Sequence, residues 1–167
     1  MATYVTLVNQ LLRRLNEVTL DVAGNGFDSV RNVQALAKDS INNSIRNIIQ
    51  TGQEWPFLKT TYTQTLAAGT RLYDFPADFA TVDWDTFYIK ELGSATNTPS
   101  YLPTISFEEY TQRYRGLDDQ GDSGSGISAP QRVYQTYESK FGVTPVPNNA
   151  YEIEYVYWTF PSDLTNF

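Results

Sequence analysis

The chain has 167 residues, 41% of them hydrophobic and 14% aromatic, with a formal net charge of −7 and neither Cys nor His. That length suits one domain, or one with an appendage, and that apolar content suffices for a packed core. The two absences remove disulfides, thiolate chemistry, the usual general base near neutral pH and the commonest nitrogen ligand for metals. Carboxylates, Lys, Tyr and Ser/Thr are what remain for catalysis, so no enzyme, cofactor or resident metal is expected.

The acidity repels nucleic acid at long range and argues against a sequence-reading DNA binder. No apolar run approaches the ~20 residues of a membrane helix. Met1-Ala2-Thr3-Tyr4 lacks the basic start and apolar stretch of a secretory signal, so the chain is expected to stay inside the cell that makes it. Residues 1–60 carry six basic and five acidic side chains, a balance of +1, whereas 61–167 carry six basic and fourteen acidic, a balance of −8. Only Tyr4 and Phe27 among the 24 aromatics precede Trp55. Composition therefore changes near residue 55, which predicts a helical hairpin over 1–54 and an aromatic-rich, acidic β domain over 55–167.

Leu7, Val8, Leu11, Leu12, Leu15 and Val18 recur at helical spacing and predict a short amphipathic helix capped by Thr3 or Thr6. Asp21 to Gly26 reads as a turn. Asp28 or Ser29 is expected to cap a second helix ending at Gly52, with an apolar stripe of Val30, Val33, Leu36, Ala37, Ile41, Ile45, Ile48 and Ile49. Its outer face is expected to show Arg31, Gln34, Lys38, Asn42, Asn43 and Arg46. Helices of this length need tertiary packing to persist, and the second stripe is wide enough to ask for a further partner.

Trp55-Pro56-Phe57-Leu58 marks the junction, because Pro56 stops a helix. The pattern then predicts a hairpin, Lys59 to Leu66 and Arg71 to Phe75 around a turn at 67–70, followed by a tight turn at 76–79. One strand is expected over Thr81 to Ile89, with Val82, Trp84, Thr86 and Tyr88 on one face, and a polar loop over 93–100. Ser106-Phe107-Glu108-Glu109 is a capping box opening a short helix through Tyr114 or Arg115. Residues 116–130 read as a mobile Gly/Ser/Asp loop. Three strands close the chain, Gln131 to Tyr137, Lys140 to Val146 and Ala150 to Phe160, the last pair joined across Pro147-Asn148-Asn149. The fold class is α+β: an N-terminal αα-hairpin, part of a helical bundle, plus an antiparallel β-sheet or sandwich with one short inserted helix.

Several residue groups invite chemical readings. Asp21 to Gly26 begins like a calcium loop but has Ala23 at the third ligand position and Asn32 at the twelfth. Asp118, Asp119 and Asp122 sit in a loop that does not preorganise them for a cation. Glu108 with Glu109, or Glu152 with Glu154, would serve a glycosidase only if paired across a cleft ~5–9 Å wide. Exposed aromatics on a β-sandwich could stack on sugars, yet three scattered Trp fit a core and interface anchors better.

Trp55-Pro56-Phe57-Leu58, the run Arg71-Leu72-Tyr73-Asp74-Phe75-Pro76-Ala77-Asp78-Phe79, Leu102-Pro103-Thr104-Ile105-Ser106, Phe141 to Pro147 and Tyr151 to Tyr155 follow the helical hairpin in order. In this order of features the whole chain resembles the head-to-tail adaptor proteins of short-tailed bacteriophages, the group that includes tail tubular protein A. The resemblance implies a virion protein of the neck, assembled in the host cytoplasm as a ring, usually of twelve subunits, between portal protein and tail nozzle protein. Tail fibres are a further candidate partner. It implies helices packed on the portal and a β region facing the tail, with double-stranded DNA passing through unbound. It also implies C-terminal helices that complete a bundle with the first two; the sequence given ends at Phe167, just after a strand. The interface residues expected are Arg31, Gln34, Lys38 and Arg46 on the helix, and Asp118, Asp119, Asp122 and Ser123 in the loop. The alternative reading is a non-enzymatic carbohydrate- or peptide-binding β module of a phage tail or fibre.

Overall fold

The computed structural model describes residues 3–20, 30–51, 54–93, 99–120, 128–137 and 139–164. They fall into two compact units, one of residues 1–55 with 161–167 and one of residues 56–160. Together they are α+β.

The first unit pairs helix α1 (Tyr4–Arg14) with helix α2 (Asn32–Gln50). Thr3 caps α1, its hydroxyl accepting from the Thr6 N–H, which satisfies one of the orphan donors of the first turn. Tyr4, Val5, Val8, Leu12, Leu20 and Ala37 form the buried seam. Polar side chains finish what so small an apolar seam cannot. The buried Asn9 carboxamide donates to Leu20 C=O at 3.0 Å and accepts from Leu20 N–H at 2.7 Å. Gln34 donates to Val18 C=O at 3.0 Å and accepts from Arg31 N–H at 2.9 Å. Asn42 clamps both main-chain groups of Leu164, and Arg46 pairs with Asp163.

Two expectations for α2 need correction. Gln34 is 7% exposed and faces inward rather than out, because its amide matches main-chain groups that hydrophobic periodicity does not register. Arg31, not Asp28 or Ser29, is the N-cap residue. Residues 21–29, with the predicted turn and caps, lie outside the described residues. The inward face therefore rotates toward Gln34, Lys38 and Asn42, and leaves Leu36 and Ile48 at 66% and 54% exposure.

The second unit opens with a 3₁₀ turn at Pro56–Leu58 and holds two facing sheets. Its strands are β1 (Lys59–Leu66), β2 (Leu72–Asp74), β3 (Phe79–Val82), β4 (Tyr88–Glu91), β5 (Ser100–Tyr101), β6 (Thr104–Ile105), β7 (Arg132–Gln135), β8 (Lys140–Thr144) and β9 (Tyr151–Thr159). The first sheet runs β1-β9-β4-β5, with β3 also on β9; the second runs β2-β8-β7-β6. All pairings are antiparallel except β6 with β7.

The predicted hairpin over 59–75 does not form. β1 pairs β9 along its whole length, and β2 pairs β8 in the other sheet. The turn is a crossing between sheets, locked by the Tyr73 hydroxyl, which meets Ala67 N–H, Ala67 C=O and Thr70 C=O. Gly69 at φ 76° permits its bend. β8 and β9 likewise belong to different sheets. The strand expected over 81–89 breaks at a 3₁₀ turn, Trp84–Thr86. That turn resets the alternation, so that Val82, Phe87 and Ile89 all reach the core.

Side chains from both sheets meet in one core. Phe87 stacks on Tyr155 at 4.8 Å between centroids, and Phe141 of the opposite sheet approaches both. Tyr134 lies across the strand onto Gly142, its register partner. A Cβ at 142 would sit 2.1 Å from Tyr134 Cζ, so only glycine admits the ring. Gly142→Ala is expected to lower unfolding free energy by roughly 2–3 kcal/mol, read as a reduced urea midpoint. A variant within about 0.5 kcal/mol of the native chain would show that the contact does not matter.

Candidate interaction surfaces

Ser106 caps the helix as read, its Oγ accepting from Glu109 N–H at 3.1 Å, and opens α3 (Phe107–Glu109); the other half of the box is replaced, since the Glu109 carboxylate pairs with Arg113. The helix does not stop near 115. It passes through a π turn at Tyr110–Tyr114 and continues as α4 (Arg115–Gln120). This corrects the loop expected to begin at 116. The helix is held there by polar contacts beneath it. Arg71 donates to the Tyr110 oxygen at 2.9 Å. Tyr134 stacks on Tyr110 at 3.8 Å between centroids. Asp118 accepts from Thr144 Oγ1 at 3.1 Å. Burial first, and then the neighbouring Tyr110 phenol, push the Tyr134 phenol far above its ordinary range. Burial likewise raises Tyr110, opposed by the neighbouring Tyr134 phenol and the Arg71 charge.

Asp118 is therefore a buried structural acid rather than an exposed loop contact. The side chain of Asp119, and all of Asp122 and Ser123, lie outside the described residues. Arg31 and Arg46 are exposed, Lys38 half-buried. Arg46 is engaged with Asp163, and the Lys38 C=O accepts from the Tyr4 hydroxyl. The four helix residues thus do not form one common outer face. Of the carboxylates weighed for chemistry, Glu109 pairs with Arg113, Glu152 with Lys90, and Glu108 accepts from Tyr137 at 3.4 Å. Among the described residues no three acids converge as a metal site, and no helix is long and apolar enough to cross a membrane.

Two concave surfaces were not legible in the sequence. In the helical unit, a groove of about 330 Å³ has Leu7, Leu11, Ile41 and Ile45 in its walls, with Ser40 and Ser44. Small serines one turn apart, with Leu36 four residues before and Ile48 four after, were the available signal: they form a stripe on which another element could seat. In the β unit, a cleft of about 770 Å³ is lined by Phe75, Phe79, Trp84, Phe107 and Tyr137, with Asp85, Glu108 and Lys140. Phe75 and Phe79 stack at 4.1 Å.

A model of the SU10 adaptor protein family matches residues 2–167, nearly the whole chain. The chain belongs to that family. No curated protein matches it. As an SU10 adaptor family member it is a phage adaptor with a structural role, which associates with other phage head or tail components.

Buried phenols set its behaviour in base. The Tyr157 hydroxyl donates to Asp78 at 3.0 Å. Burial, then that bond and the Asp78 charge, push its pKa up to about 12. A phenol raised in the fold adds stability that is whole below its unfolded value of about 10 and is lost as pH climbs through the folded value. Urea stability is expected to hold up to about pH 10 and fall between about 10 and 12. Tyr157→Phe should make that fall shallower, and an unchanged alkaline profile in the variant would contradict the assignment.

Proposed function

We propose that this protein is a head-to-tail adaptor of the virion neck, forming an oligomeric ring between portal and tail nozzle around the DNA exit channel. The family match over nearly the whole chain carries the reading. Three physical features support it. The groove of the helical unit exposes apolar walls that a partner helix would cover. The β unit presents an aromatic cleft suited to protein contact. Its strong acidity suits a wall past which DNA must slide without adhering, since like charge disfavours phosphate contact. On this reading the helices meet the portal, the β unit faces the tail, the action is contact rather than catalysis, and assembly takes place in the host cytoplasm.

Electron micrographs of the purified protein, alone and mixed with the portal of its phage, should show discrete rings near twelve subunits. Monomers under both conditions would sink the ring. The aromatic cleft also admits the second reading, a carbohydrate- or peptide-binding module, and a monomer that binds glycans would favour it. The channel is tested in assembled particles: reversing the charge of the exposed acids Asp85 and Glu154 should slow DNA ejection. Unchanged ejection would remove the electrostatic role.

A further inference from the structure

The outer edge of β1 is the longest unpaired strand edge in the β unit among the described residues. It runs for 8 residues at the end of its sheet. The other strands with an unpaired side, β2, β3, β5 and β6, have between 2 and 4 residues. The direction of its main-chain groups follows from β9. Val156 donates its N–H to Thr86 Oγ1 at 3.0 Å and accepts from Asp83 N–H at 3.0 Å, so both its groups point away from β1. Thr61 is opposite Val156. Members of such a pair do not exchange bonds, so the Thr61 N–H and C=O point outward, as do those of Thr63 and Thr65 by the two-residue period.

Native sheets blunt such edges with Pro, inward charges, bulges or short strands. β1 has no Pro, no register shift against β9, and no charge after Lys59. Its neutrality stands out in a unit, residues 56–160, that carries seven basic and thirteen acidic side chains. Two copies would repel over most of that surface, and least along this strip.

We propose that β1 is a self-pairing edge, joining two copies of the chain antiparallel across a two-fold axis at Thr63. The outward positions are self-complementary: Thr63 meets Thr63 of the second copy, and Thr61 meets Thr65. All three side chains are exposed, and Thr–Thr is a favourable cross-strand pair. A second copy is the occupant because no shorter edge of the chain offers a matching run. The contact is isologous and closes on itself, so it is separate from the head-to-tail contacts of a ring, and either can fail without the other.

The Thr63 N–H makes no bond to β9 in this register, so Thr63→Pro should keep the fold and remove a donor needed by the second copy. Thr61→Lys with Thr65→Lys keeps the backbone and opposes like charges across the axis. In sedimentation equilibrium at tens of micromolar, the native chain should show a two-fold association that each variant weakens roughly tenfold or more, with unchanged circular dichroism. The chain has no native Cys, so Thr63→Cys should oxidise to a covalent pair faster than Ser44→Cys on α2. Opposed Cα atoms about 5.5 Å apart lie within disulfide reach. A native chain without two-fold association, folded variants that associate as it does, or a Thr63→Cys chain that cross-links no faster than the control would each overturn the proposal.

Discussion

Strand β9 has partners on both sides, with β1 along one edge and β3 and β4 sharing the other. Its inward residues Tyr151, Ile153, Tyr155 and Tyr157 reach the core in a row. Sheet pairing and core packing are therefore coupled in one element: moving β9 by one residue would turn that whole row to solvent. The register of β1 and the outward aim of its threonine main chain follow from the same strand. So do the position of Tyr157 against Asp78 and the contact of Tyr155 with Phe87.

Around that strand the core is built of rings, which are large and stiff and bury much area for few torsions. Such a core leaves shape problems that single residues must solve. Gly142 clears the path of Tyr134, the 3₁₀ turn at Trp84–Thr86 resets the face of β4, and a π turn carries the inserted helix onward to Asp118. Two polar contacts, Arg71 to Tyr110 beside β2 and Thr144 of β8 to Asp118, then tie that helix to the sheet. Buried contacts of this kind hold one arrangement because each member left unpaired would be costly.

The helical unit works differently. Two helices bury one narrow seam, and the amides of Asn9, Gln34 and Asn42 stand in for missing core by satisfying main-chain groups. The apolar residues that find no place in the seam line the groove or are exposed as Leu36 and Ile48. A structural adaptor has use for such surfaces, since its work is to be covered by other chains.

Much of this was readable beforehand, where the signal is local. The α+β class, α1 with its Thr3 cap, β1 between Lys59 and Leu66, the Ser106 N-cap and the inward row of β9 all follow from spacing and capping chemistry within a few residues. The order of short aromatic motifs also carried the family resemblance. What the sequence could not decide was which strand meets which. The turn at 67–70 looks like a hairpin, but β1 lies better on the long apolar row of β9 and β2 on β8, a choice made between residues 66 or more apart. Gln34 faces inward, and Asp118 is a buried anchor, because their partners, Val18 and Thr144, are brought near only by folding. Periodicity records hydrophobicity along one element; hydrogen-bond complementarity between distant elements exists only once the chain has closed on itself.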